Sequence, residues 1–268
     1  MSTVAANRKS GLEADAWRGL TNLRKGLLWA WLDIVCQYRR SRIGPLWETI
    51  NVLVMILGMT VVSSSILGGN IGTLIAYIGL GIIIWSAISS LVTEGTTAFV
   101  RNANFITSSN MSVDLYVDRT VFKVMITFGH HLILYFLGVA LMLIPLGWTS
   151  LLAIPGIILL FVNGFWIVII LAFICARYRD VGMIVRNLLQ LIFFVTPVFW
   201  NYQHIASNRH FIIDYNVIFY FIEIIRAPLL LQVPPLRDYL IIASVTMLGY
   251  AAAFIVNRRM RPQLAFFV

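Results

Sequence analysis

The chain is short of charge. Asp, Glu, Lys and Arg make up 12% of its 268 residues and only 11 of them are acidic, against about 25% charged in a soluble protein. That excludes an ordinary soluble surface. It has two cysteines, Cys36 and Cys175, which rules out a disulfide framework and leaves both to be read as small apolar residues. Its four histidines are His130, His131, His204 and His210. Only the first two fall within a long apolar run, and neighbouring helical positions point about 100° apart, so they cannot share a metal. No HExxH, CxxC or GxSxG occurs, nor GxxxxGK[ST], nor GxGxxG. No catalytic constellation or cofactor site is therefore expected, and any nucleotide the protein uses must be bound by another chain. The first residues, MSTVAANRKSGLEADAWRG, are polar and mixed in charge, so no signal peptide is expected.

What the chain has in abundance is apolar sequence, 60% of all residues, with a mean hydropathy of +0.87. Charge is sorted within it. Seventeen of the 20 Lys and Arg residues lie in 8–42, 101–123, 177–186 and 258–261, between long apolar runs, and Arg209, Arg226 and Arg237 share 201–238. Basic loops stay cytoplasmic while apolar runs span. The pattern predicts an all-α polytopic membrane protein with both termini inside. The sequence pI near 9.9 does not imply nucleic acid, because the basic residues sit at helix ends rather than along one patch.

A span needs about 20 residues, and six are expected: Leu46–Leu67, Ile75–Val100, Val121–Leu146, Leu151–Ala176, Val181–Trp200 and Tyr239–Val256. The segment 201–238 contains an apolar run, Val217–Ile225, followed by Pro228, Pro234 and Pro235. The run is too short to cross and is expected to be re-entrant or interfacial on the outer face. Before the first span, 23–40 places Leu27, Leu28, Trp31, Ile34, Val35 and Tyr38 at helical spacing, with Asp33, Gln37 and Arg40 on the opposite stripe. That predicts an amphipathic helix lying in the membrane interface. The expected organisation is a cytoplasmic tail 1–22, the interfacial helix 23–42, a membrane domain 43–256 and a cytoplasmic tail 257–268.

Charge inside the spans is scarce. Glu48, Glu94 and Arg186 all fall near inner ends, where snorkelling or pairing accounts for them. Aromatics are plentiful, and while interfacial belts explain most, aromatic faces also stack on sugar rings. Tyr77, Trp85, Phe193 and Trp200 are the candidates to line a path for a glycan.

The stretch Gln37-Tyr-Arg-Arg-Ser-Arg-Ile-Gly-Pro-Leu-Trp47 resembles the approach to the first span in permease subunits of polysaccharide-exporting ABC transporters. Ala176-Arg-Tyr-Arg-Asp-Val181, Thr196-Pro-Val-Phe-Trp200 and Ile224-Ile-Arg-Ala-Pro-Leu-Leu230 resemble later parts of that family, in order. Two places depart from its pattern, Tyr215-Asn216-Val217 and Met111-Ser-Val-Asp114. The resemblance implies two copies of the chain working with two ATP-binding subunits, which hold ATP and Mg. It implies export of a lipid-linked polysaccharide across the bacterial inner membrane, closest to O-antigen on a polyprenyl pyrophosphate, with capsular polysaccharide or teichoic acid as alternatives. In that setting Arg39, Arg40 and Arg42 would meet the lipid pyrophosphate. Ile43-Gly44-Pro45 would break the interfacial gate helix from the first span. The cytoplasmic coupling loop 101–120 would dock on the ATPase through Phe105, Ile106 and Leu115 with Asp114 and Asp118. Membrane lipids are the remaining partner; nucleic acid is not one. A competing class is a membrane-embedded glycosyl- or acyltransferase of lipid-linked sugars, for which Asp114 and Asp118 are the only close acidic pair in a loop.

Overall fold

The computed structural model describes residues 23–68, 70–108, 112–200 and 211–268. The expected tail 1–22 and the first ten residues of the outer segment 201–238 lie outside them. The described residues are helical, with no strand among them. Helix α1 covers 23–38. It is followed by α2 (Leu46–Leu67), α3 (Ile71–Thr97), the short α4 (Ala103–Ser108), α5 (Asp114–Ala140), α6 (Ala153–Arg177) and α7 (Arg179–Val195). The single turn α8 (Phe211–Asp214), then α9 (Val217–Leu229), α10 (Leu236–Met260) and the last turn α11 (Leu264–Phe267) complete the chain.

Five of these helices, α2, α3, α5, α6 and α10, are long and apolar enough to cross a membrane. α3 is the most enclosed of them and packs on α2, α5, α6, α7 and α9. Ile78, Leu80 and Ile84 on α3 are sealed from the surface. The outer walls are the reverse. Val54, Val61 and Ile66 on α2 and Leu240, Met247, Leu248 and Phe254 on α10 are all exposed. So much contiguous apolar surface suits a hydrocarbon surround and not water.

The sequence signals explain where helices end, and three expected boundaries are corrected. α7 stops at Val195 and does not run to Trp200. Thr196 precedes Pro197, whose ring pushes the residue before it out of the helical region, and Thr196 is extended with ψ 134. α7 thus has 17 residues, about 25 Å of helix, and is not among the five. α5 stops at Ala140, not Leu146. Met142 adopts φ 57, and the amides of Leu143 and Ile144 both turn back to donate to Gly138 O. α1 stops at 38 and not at 42, and Arg39, Arg40 and Arg42 stand between it and α2.

α9 carries its own caps and its own charge. Asn216 accepts from the amides of Ile218 and Phe219 and donates Nδ2 to Thr196 Oγ1. All of Phe219–Leu229 is buried against α3, α6 and α10. Inside it Arg226 is 0% exposed and donates to Glu223 Oε2 at 2.6 Å and to Pro197 O at 2.8 Å. Its guanidinium lies 3.8 Å from the centre of the Tyr77 ring on α3. One side chain therefore joins α9, α3 and the 196–200 segment. α6 and α10 are joined likewise by Asn163, which bonds Thr246 Oγ1 at 2.9 Å and accepts from Trp166 Nε1 at 2.7 Å. Side-chain hydrogen bonds across helices replace the hydrophobic drive that lipid removes.

Candidate functional site

Of the four aromatics expected to line a path, two come together. Trp85 of α3 and Phe193 of α7 lie with ring centres 5.3 Å apart. They floor a groove of about 470 Å³ between α2, α3 and α7. Met55 and Met59 form its α2 wall; Ser89, Thr93, Arg186 and Gln190 supply its polar lining. Thr93, Ser89 and Trp85 lie about one, two and three turns from the C-terminal end of α3. Polarity therefore falls off along the groove, from hydroxyls and a cation near the α3–α4 loop to bare aromatic rings. Tyr77 is elsewhere, beneath Arg226. Trp200 is in the segment after α7, its Nε1 donating to Phe194 O at 3.3 Å.

Phe193 is also a core residue, 6% exposed and stacked on Phe194 and Phe199 at 5.6 and 5.5 Å. Truncating it to alanine would disturb packing as well as the groove wall, by about 3–5 kcal/mol for such a ring in a soluble core. Groove chemistry is better probed at Ser89 or Gln190, which carry no comparable packing.

The three charges expected near the inner ends of spans fare differently. Glu94 is held by Lys123 at 2.9 Å and Arg101 at 3.3 Å. Glu48 accepts from the Tyr38 hydroxyl at 2.5 Å, and burial, then that carboxylate, raise Tyr38 above the ordinary phenol range. Arg186 has no ion pair among the described residues. The two histidines point apart, His130 Nδ1 towards Ile126 O and His131 Nδ1 towards Ser86 Oγ.

No protein-family model matches the chain, and no curated protein matches it either.

α1 is amphipathic, and one residue of its expected apolar stripe turns inward. Leu27, Leu28, Trp31, Leu32 and Val35 are exposed, whereas Ala30 and Ile34 are buried against the bundle. Ile34 thus leaves the membrane stripe to which helical spacing assigns it. Asp33, assigned to the polar stripe, instead forms a two-pronged pair with Arg119 of α5. Arg119 also donates to Asn102 Oδ1 at 2.9 Å and lies over the Trp29 ring. α1 approaches so closely that a Cβ on Gly26 would meet Asp118 Cβ at 2.7 Å. Only a residue without a side chain fits there. Nothing in the local sequence announces the Asp33–Arg119 pair, which joins positions 86 apart.

The basic turn is open. Arg39, Arg40 and Arg42 are exposed and form no ion pair among the described residues. Gly44 has φ 65, a left-handed conformation that favours glycine, and its amide donates to Ser41 Oγ at 3.1 Å. Ile43 is exposed and Pro45 is the residue before α2.

The coupling candidates divide. Phe105 is 59% exposed on α4, and Ile106 beside it is half-buried. Leu115, expected on the outer docking face, is buried with Tyr116 and Val117 against the bundle. Asp114 is exposed but tied to Arg261 of the C-terminal segment at 3.1 Å. Asp118 is half-buried under α1, so the two acids do not offer one free surface.

Proposed function

We propose that this chain is the transmembrane permease subunit of an ABC exporter that moves a lipid-linked polysaccharide, O-antigen on a polyprenyl pyrophosphate being the nearest substrate, across the bacterial inner membrane. The observation that carries the reading is the groove: an aromatic floor of Trp85 and Phe193 with a hydroxyl and amide row beside it suits sugar rings and their hydroxyls. The chain works as a homodimer with two ATP-binding subunits that supply ATP and Mg, since it has no nucleotide loop of its own. Phe105 on α4 is the anchor for that subunit. Both termini face the cytoplasm, α7 with residues 196–200 makes the fifth of six crossings, and α9 is the re-entrant element. The arginines at 39, 40 and 42 receive the lipid headgroup where α1 turns into α2.

The path is tested by blocking it. In a Cys36→Ser background, Ser89→Cys places a thiol in the groove and Leu248→Cys places one on the exposed wall of α10. A bulky methanethiosulfonate should stop surface glycan display in the first protein and leave it unchanged in the second. Continued display with Ser89→Cys fully modified would remove the groove from the path.

A further inference from the structure

Arg186 stands in the groove with no carboxylate among the described residues to answer it. The positions one turn away on α7 are Gly182, Met183, Leu189 and Gln190, and none is acidic. Asp180 lies six residues back, about a third of a revolution around the helix. Glu94, the acid on the neighbouring stretch of α3, is already held by Lys123 and Arg101. On the reading above, in which α7 crosses, a cation at this depth is costly and is retained where it has a partner or a task. The polar groups that line the groove with it are all neutral hydrogen-bonding ones. Gln190 shares its face at i+4, and Ser89 and Thr93 stand on the facing wall of the same groove. Deeper in, the lining turns to Trp85, Phe193 and the two methionines.

We propose that Arg186, with Gln190, Ser89 and Thr93, forms an oxyanion site that takes the phosphate head of an anionic amphiphile, whose body lies against the Trp85–Phe193 floor. The guanidinium supplies a charge-assisted fork, and the side chains around it complete the hydrogen bonds without adding a competing negative charge. This names the headgroup chemistry of the path described above and rests on that reading only for what happens after binding. It also sets a second cationic station inside the groove, beyond the basic turn at 39–42.

The test uses the purified full chain in phosphatidylcholine nanodiscs with three probes: dodecyl phosphate, dodecanol and inorganic phosphate. The unmodified protein should bind dodecyl phosphate about tenfold or more tighter than dodecanol, the scale of one charge-assisted contact. The preference should fall sharply in Arg186→Gln, to what the basic turn at 39–42 supplies, and fall less in Arg186→Lys, which keeps the charge and loses the fork. It should survive in Arg179→Gln, which removes an exposed cation of α7 outside the groove lining. Arg186 is exposed, so neither substitution at this position removes core packing. An undiminished preference in Arg186→Gln overturns the site, and so does an equal loss in Arg179→Gln. Inorganic phosphate competing as well as dodecyl phosphate would mean a site for a soluble ion and would overturn the amphiphile. If instead the anion preference behaves as expected while the blocked Ser89→Cys protein still displays glycan, the export path fails and the oxyanion site stands.

Discussion

Arg226→Leu should destabilise the folded protein by about 3–5 kcal/mol, the cost of breaking a buried ion pair by removing one member. The guanidinium is wholly enclosed, and its partner Glu223 is 8% exposed at the side chain. Removing the cation takes its bonded guanidinium from that carboxylate, in a helix rich in isoleucine and phenylalanine. It also strips Pro197 O of its donor and Tyr77 of its cation, so α9 loses its ties to α3 and to the 196–200 segment together. The double change Glu223→Leu with Arg226→Leu removes both charges, and a buried pair replaced by apolar residues is often neutral or better. The double variant should therefore be more stable than Arg226→Leu alone. Thermal unfolding in detergent, read by labelling of the buried Cys175, orders the three proteins. Equal melting of the single and double variants would show that the two charges are not coupled.

Arg119→Leu should free α1 from the bundle. The pair with Asp33 is half-buried, with 23% and 30% of the side chains exposed, and the same guanidinium holds Asn102 and covers Trp29. A charge-assisted bond of this kind contributes about 1.5–3 kcal/mol, enough to raise the opened fraction of α1 by about tenfold or more. Trypsin reports that opening at Arg24 and Lys25, both exposed on α1. Cleavage there should be fastest in Arg119→Leu, slowest in the unmodified chain and intermediate in the exchanged pair Asp33→Arg with Arg119→Asp. The exchange restores the attraction, but a carboxylate at position 119 has no proton to donate to Asn102. Unchanged cleavage in Arg119→Leu would mean that Ala30 and Ile34 alone hold the helix.

How much of this could be read from residues alone depends on the range over which each signal acts. The start of α2 at Leu46 follows from a glycine and a proline next to it, and local backbone sterics are legible. So was the end of α7, since Thr196-Pro197 stood in the sequence; the apolar letters beyond it outweighed that signal. Glu223 and Arg226 also left a trace, opposite charges three residues apart in an apolar run, which is the spacing of a helical pair. What the sequence does not carry is rotation. Helical periodicity assigned Ile34 and Asp33 to faces of α1 without saying which face meets α5, because the partner of Asp33 is set by packing 86 residues away. For the same reason Trp85 and Phe193 were recognisable as aromatics in spans, but their meeting, and the exclusion of Tyr77 from it, came from how α3 and α7 turn towards each other.

The corner between α1 and α2 is fastened on both sides. The Tyr38 hydroxyl reaches across it to Glu48 at 2.5 Å, and the Gly44 amide is tied to Ser41 within it. The two hydrogen bonds tie the end of α1 to the first turn of α2. Further along α2, Met55 and Met59 form one wall of the groove. The fastened corner and one wall of the groove are thereby carried by the same helix.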